Sequence, residues 1–348
     1  MGGGGRFGLD GATWRWLTRE ALPGRGIDGV SRLKGGSTNE MLLLTTARRD
    51  ARDIRDGRYG AYERYVLRRH RPSGTRTHRN TCAVEAALLR RVAATVPVAD
   101  LVAADPYGQA TGAPLLLYRY VEGVPLDTLL ARRPGAVEAA ELGAAVGETL
   151  ARISLVELAG PGHFHDETLT PAGSARDTEL LPFVERCLDS AAADCPLTAA
   201  DADALRGLAA RTAHRVAAVR GHDRLVHHDF NPKNVLVTRE RGRWRVGAVL
   251  DWEQAFGGSP LYDVGNMLRF AHLYPPRFAE GFVAACRDGG VDGDGNGLLP
   301  PDWRALSRAL DLFTLADILT APPDEAYFLR ARDALRRHLA EESARLRE

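Results

Sequence analysis

Lysine is nearly missing from this chain. Of its 46 basic residues only Lys34 and Lys233 are lysines, and the other 44 are arginines. With Ala, Gly and Pro also abundant, that skew reads as the coding bias of a GC-rich genome before it reads as function. Net charge is small too, because 46 basic against 45 acidic side chains leave +1. A near-neutral chain removes the simplest electrostatic case for nucleic acid or an anionic membrane as partner. Cysteine is sparse. Cys82, Cys187, Cys195 and Cys286 form no C-x-x-C pair and show no metal spacing with histidine, which argues for a reduced, cytosolic protein. No apolar run approaches the roughly 18 residues of a membrane span. Met1 and the four glycines after it lack the charged-then-apolar design of a signal peptide. The expected location is the cytoplasm.

What is present suits a globular protein of some size. A length of 348 residues fits two domains or two lobes of one. Hydrophobic content of 45% and charged content of 26% are those of an ordinary folded chain. Charge divides by region: residues 1–120 hold 20 basic and 11 acidic side chains, whereas residues 121–348 hold 26 and 34. The acidic second part either favours a cationic substrate or serves solubility.

Periodicity sketches the organisation. Residues 12–22 read as a short amphipathic helix, with Trp14, Leu17 and Leu22 on its apolar side. Strand-like runs at Gly29–Lys34 and from Met41 onward, joined through Gly35-Gly36-Ser37-Thr38-Asn39, suggest a hairpin. Tyr65–Arg68 makes a third strand, residues 81–94 a helix and Leu115–Val121 another strand. Helical periodicity takes over at residues 136–158 and 199–220, with a Gly/His/Pro-rich loop at 160–173 between them. Two β-like runs follow, from Asn234 and from Val246, and then helices to the C-terminus. The spacing therefore predicts an α+β chain. A small antiparallel-sheet N-lobe, residues 1–120, joins a larger, mainly helical C-lobe, residues 121–348.

Three motifs mislead. Gly24, Gly26 and Gly29 match G-x-G-x-x-G, but a helix precedes them and a strand follows; a dinucleotide turn needs the reverse order. Lys34 before two glycines is not a P-loop, because the Gly-Lys-Ser/Thr order is absent. Asp292, Asp294 and Asn296 begin like a calcium loop, yet its twelfth position is Trp303 where a bidentate Glu is needed. That stretch is expected to be a surface turn. Arg48, Arg49, Arg52, Arg55 and Arg58 alternate with Asp50, Asp53 and Asp56, which suits a solvated hairpin better than a nucleic-acid stripe.

Chemistry concentrates in residues 225–252. Two apolar strands bracket His227, Asp229, Asn234 and Asp251. A loop carboxylate, an amide oxygen five residues on and a carboxylate after the next strand can orient a hydroxyl nucleophile and hold magnesium on nucleotide phosphates. Read singly, Asp229 could be a loop cap and Asp251 a strand-end turn residue.

On these residues the chain resembles the aminoglycoside phosphotransferase family, whose members have a protein-kinase-like, bilobal fold. The family's H-G-D-x-x-x-x-N loop appears as His227-His228-Asp229-Phe230-Asn231-Pro232-Lys233-Asn234. Its Asp after a hydrophobic strand appears as Val249-Leu250-Asp251-Trp252-Glu253, and its G-x-P-x-x-D as Gly258-Ser259-Pro260-Leu261-Tyr262-Asp263. The resemblance implies that Asp229 is the catalytic residue at the acceptor hydroxyl and that Asn234 and Asp251 coordinate Mg2+. His227 and Asp263 would brace the loop, Asp263 also capping the next helix. The N-lobe would bind ATP through Gly35, Gly36 and Ser37, with Arg68 on the phosphates and Glu85 as its ion-pair partner. The backbone of Arg119 and Val121 would meet adenine.

Two departures stand out. His228 replaces the family's Gly and either fills space or contacts substrate. Lys233 stands where Gly is frequent; it is either a solvated side chain or a group beside the transferring phosphoryl. The expected activity is transfer of the γ-phosphoryl group of ATP to a hydroxyl of a small molecule, foremost an antibiotic, with the acidic second part leaning toward a cationic one. A metabolic or biosynthetic kinase is the alternative within the fold, and a pseudokinase the alternative outside catalysis. Neither nucleic acid nor membrane is expected as a partner.

Overall fold

The structure, a computed structural model, describes residues 6–33, 39–47, 62–70, 80–172, 179–191, 195–289, 298–320 and 325–345. Gly35, Gly36 and Ser37, the Arg/Asp-rich stretch at 48–61 and the Asp292–Gly297 turn lie outside the described residues. Two compact units emerge. The first comprises Met1–Glu122, Asp166–Leu169 and Gly247–Glu253, and the second Gly123–His165, Thr170–Val246 and Gln254–Glu348.

The first unit opens on α1 (Gly11–Trp16), which starts where the Asp10 carboxylate accepts the Thr13 N–H at 2.8 Å. A π-turn, Leu17–Ala21, continues it. Leu17 and Leu22 enter the core, and Trp14 packs partly buried against it. Strands β1 (Gly26–Arg32), β2 (Glu40–Ala47), β3 (Glu63–Arg69), β4 (Leu101–Asp105) and β5 (Leu115–Arg119) form one sheet in the order β1-β2-β3-β5-β4. Every pairing in it is antiparallel. Helix α2 (Cys82–Val92) lies in sequence between β3 and β4, with Thr81 as its N-cap. The sequence did not announce β4. Its two alanines have low strand propensity, and it lies at the sheet edge, where pairing on one side suffices.

The second unit is mainly helical. It contains β6 (Val124–Pro125), α3 (Leu126–Ala131), α4 (Ala136–Ser154), β7 (His163–Phe164), β8 (Pro171–Ala172), α5 (Leu180–Asp189) and α6 (Ala199–Ala218). After these come β9 (Arg224–Val226), β10 (Val235–Glu240), β11 (Arg243–Val249, whose end passes into the first unit) and β12 (Phe256–Gly258). Helices α7 (Leu261–Leu268), α8 (Pro276–Gly289), α9 (Trp303–Thr320) and α10 (Glu325–Arg345) complete it. The expected loop at 160–173 contains the two-residue pair β7–β8. Helix α5 was hidden from the sequence. Pro182 in its first turn costs no intrahelical N–H but disguises the i, i+4, i+7 face of Leu180, Val184 and Cys187. Among the described residues no helix is long and apolar enough to cross a membrane.

Helices α4 and α8 approach backbone to backbone. A Cβ on Gly143 would lie 2.1 Å from the Phe278 carbonyl oxygen, and one on Gly281 2.2 Å from that of Ala140. Leu142, Val146, Leu150, Phe278 and Phe282 around this contact are fully buried. Gly143→Ala should therefore lower the thermal midpoint: overpacking costs about 1–3 kcal/mol, against at most about 1 kcal/mol of helix propensity gained. Gly207→Ala in α6, where the nearest neighbour is the tip of Arg211, should raise it. Calorimetry of the two variants checks the contrast.

Candidate active site

In the second unit, the chain leaves β9 at Val226 and turns through residues 227–234 before β10 begins. Asp263 determines that turn. It is fully buried, and its two oxygens accept the backbone N–H groups of His227 and His228, each at 2.8 Å. Burial pushes its carboxyl up to about 7, while the two N–H bonds pull the other way. The expectation that Asp263 caps its helix needs correction. Pro260 is the N-cap and Asp263 is the third residue of α7, its carboxylate serving the loop instead.

His228, in the position where the family pattern has Gly, has φ of 65°, a left-handed conformation that strains a residue with a Cβ. Its ring meets Phe256 and Tyr262 edge-on, at centroid distances of 5.0 and 5.5 Å, so it fills space within an aromatic cluster. Its carbonyl accepts Asn266 Nδ2 at 2.9 Å. Asn266 Oδ1 in turn accepts Arg269, whose Nε bonds both oxygens of Asp311 at 3.0 and 3.1 Å.

Asp229 is gripped from both sides. Asn231 Nδ2 donates to its Oδ1 at 2.6 Å, and Asn234 Nδ2 to its Oδ2 at 2.7 Å. The Asp229 N–H donates to His227 Nδ1 at 3.2 Å. Lys233 Nζ stands 3.8 Å from Asp229 Oδ2. Because Asn234 uses its amide nitrogen on Asp229, its amide oxygen is turned away from that carboxylate.

The first unit holds a second constellation, centred on Arg68 of β3. Arg68 Nη1 donates to Glu85 Oε1 at 2.6 Å; Nη2 donates to Asp251 Oδ1 at 3.0 Å and to Glu253 Oε2 at 2.9 Å. Tyr118 of β5 adds its hydroxyl to Glu85 at 3.2 Å. Burial raises the Glu85 carboxyl to about 7 against the pull of Arg68, and burial together with Arg68 lowers His70 to about 3. The Arg68 side chain is 7% exposed and that of Asp251 41%, so Asp251 alone of the pair faces solvent. Asp251 has φ of 64°. Trp252 anchors the turn after it, its indole N–H donating to the Val249 carbonyl at 3.0 Å.

The structure thus brings Arg68, Glu85 and Asp251 together in one unit, and Asp229 and Asn234 in the other. Arg119 ends β5, with its N–H donating to the Asp100 carbonyl at 2.8 Å; half-buried Val121 follows the strand. Sequence reasoning missed Asn231 and Glu253, each two residues beyond a recognised aspartate. Among the described residues no group of three His, Cys, Asp or Glu side chains could hold a metal. An amide oxygen and a carboxylate are hard donors of the kind magnesium accepts while keeping several waters.

An antiparallel sheet unit with a buried Arg–Glu pair and a helical unit carrying a braced Asp-x-x-x-x-Asn loop are the parts of a kinase-like phosphotransferase. The chain belongs to the phosphotransferase enzyme family, whose profile matches residues 29–306. Its fold is similar to that of aminoglycoside phosphotransferase APH(4)-Ia in complex with AMP-PNP and hygromycin B, at TM-score 0.62 and 15% identity over 90% of this chain and 94% of that one. It is also similar to APH(2")-IIia in its GDP and kanamycin complex, at TM-score 0.61 and 18% identity over 94% and 98%. A Ralstonia eutropha protein described as an aminoglycoside phosphotransferase gives TM-score 0.59 and 19% identity over 94% and 96%. No curated protein matches in sequence.

Removing one partner from a buried charge cluster costs about 3–5 kcal/mol, and Arg68→Ala should lose that much. Arg68→Lys keeps the charge but cannot donate to Glu85 and Glu253 through two nitrogens. It should lose about 1–3 kcal/mol. Denaturant titration of both variants gives the ranking.

Proposed function

We propose that this phosphotransferase moves the γ-phosphoryl group of ATP to a hydroxyl of a small molecule, with an antibiotic as the leading acceptor. The observation that carries the reading is Asp229, fixed through both oxygens by Asn231 and Asn234 on a loop tied to Asp263. A carboxylate held in that way can receive a hydrogen bond from an acceptor hydroxyl and aim its oxygen for in-line attack. Asp229 is the catalytic residue in this scheme. Magnesium, when bound, would neutralise charge on the nucleotide phosphates; Asn234 and Asp251 would be the residues that offer it oxygens. The sheet unit handles the nucleotide and the helical unit the acceptor.

Arg68 acts in a way the sequence did not suggest. Its guanidinium is engaged by three carboxylates, so its first task is to orient Asp251 and Glu253. Arg119 and Val121 would receive the adenine, and Gly35, Gly36 and Ser37 the phosphates. ATP as donor is supported by the neighbour solved with AMP-PNP, although another was solved with GDP.

Support for an aminoglycoside-like acceptor comes from the neighbours that bind hygromycin B and kanamycin. The acidic excess of residues 121–348 suits a cationic acceptor only through carboxylates that are not already paired. Glu157 pairs with Arg224, Glu185 with Arg206, Glu342 with Arg215 and Asp311 with Arg269, so these carboxylates are neutralised locally. The second reading is a metabolic or biosynthetic kinase acting on a sugar, an amino alcohol or a natural-product intermediate.

Incubation with Mg-ATP and a panel of hydroxyl-bearing antibiotics, followed by mass spectrometry, should find one compound carrying one added phosphoryl group. Asp229→Ala should reduce the rate at least about 100-fold. Wild-type protein that turns over a simple sugar or amino alcohol and no antibiotic selects the second reading.

A further inference from the structure

Resting on the phosphotransferase reading above, we propose that Lys233 is a second catalytic residue, its ammonium meeting the phosphoryl group during transfer. Among the described residues of the second unit, Arg269 and Lys233 are cations whose charge reaches Asp229. Arg269 is 1% exposed and its guanidinium is taken up by Asp311 and Asn266, which leaves it out of reach of any substrate. Lys233 is 56% exposed, and its Nζ stands 3.8 Å from Asp229 Oδ2.

That distance is too long for a hydrogen bond, and Asp229 does not require one there. Both of its oxygens are already satisfied by Asn231 and Asn234, so Lys233 is not what keeps the carboxylate in place. Its backbone and its ammonium each have a partner. The Lys233 N–H donates to Asn231 Oδ1 at 3.1 Å, and Nζ lies 5.9 Å from the centre of the Tyr327 ring on α10. The ring face attracts the ammonium and narrows its swing without discharging it. Composition adds an independent argument, since a chain that uses Arg at 44 of 46 basic positions keeps Lys here. A compact ammonium on a four-carbon stem can follow a moving charge, whereas a planar guanidinium is suited to a fixed fork.

An acceptor hydroxyl bound to Asp229 lies within about 3 Å of its carboxylate, and the phosphorus it attacks is one bond further on. The acceptor oxygen bonds to the γ-phosphorus as the bond to the β–γ bridging oxygen breaks. The electron pair leaves with ADP, and the acceptor proton passes to Asp229. Negative charge on the three equatorial oxygens is then close to Nζ, which stabilises it more in flight than in bound ATP.

The test compares wild type, Lys233→Gln and Lys233→Arg by phosphate release from Mg-ATP with water as acceptor. It therefore needs no identified acceptor. Lys233→Gln should lower kcat about 100- to 1000-fold, with KM for ATP within about threefold of wild type, and Lys233→Arg should recover part of the loss. A Lys233→Gln kcat within about threefold of wild type overturns the proposal. So does a Lys233→Arg variant as impaired as Lys233→Gln, or a loss confined to KM. If wild type neither binds ATP nor releases phosphate from it, the phosphotransferase reading fails and this one falls with it.

Discussion

Asp263 accepts the N–H groups of His227 and His228 from within the core of the helical unit, and the geometry of the chemistry-bearing loop depends on that pair of bonds. With both amides tied to one carboxylate, the left-handed φ of His228 then turns the chain that follows them toward Asp229. Glycine would adopt it without strain. Histidine is held there by its aromatic contacts with Phe256 and Tyr262 and by Asn266 on its carbonyl. From both sides of the turn, His227, Asn231 and Asn234 converge on Asp229. The oxygens that would do chemistry are therefore fixed by short bonds within the loop, and the loop is fixed by a carboxylate on the helix after β12.

The sheet unit solves a comparable problem with charge. One guanidinium, nearly inaccessible, faces three carboxylates from α2 and the segment after β11. Buried ion clusters add little net stability, because desolvation offsets most of the attraction. What they supply is position, since any displacement leaves a charge unpaired in a poorly solvated site. Arginine suits the task better than a lysine would: its fork reaches Glu85 on one side and Asp251 with Glu253 on the other. Tyr118 completes the arrangement from the neighbouring strand, because the β3–β5 register sets Tyr118 opposite Val66 and Leu116 opposite Arg68.

Legibility in the sequence followed distance along the chain. Asp229, Asn234 and Asp251 were readable because a loop and one hairpin carry all three in a fixed spacing. Arg68 and Glu85 needed the family pattern, since nothing local links a strand residue to a helix residue 17 positions further on. Asn231 and Glu253 were in plain view beside recognised residues, and only their hydrogen bonds reveal what they do. The Arg269–Asp311 pair, which steadies Asn266 and through it the loop, joins residues on α7's end and α9, a contact that no periodicity encodes. The capping assignment for Asp263 failed for a related reason. A local rule placed its carboxylate at its own helix, whereas two buried amides 35 and 36 residues upstream had the stronger claim. Strand β4 and helix α5 were missed because alanine and proline masked their periodicity.

Each unit thus presents one set of oxygens braced by a buried ion or carboxylate. In the proposed reaction, phosphoryl transfer from nucleotide to a small alcohol runs through Asp229. The most direct measurement follows label from γ-32P-ATP during a single turnover of wild type and Asp229→Asn. The account predicts label in a small-molecule phosphomonoester with wild type and none with the variant. Label on the protein itself, or transfer to the small molecule that proceeds equally without the Asp229 carboxylate, would contradict it.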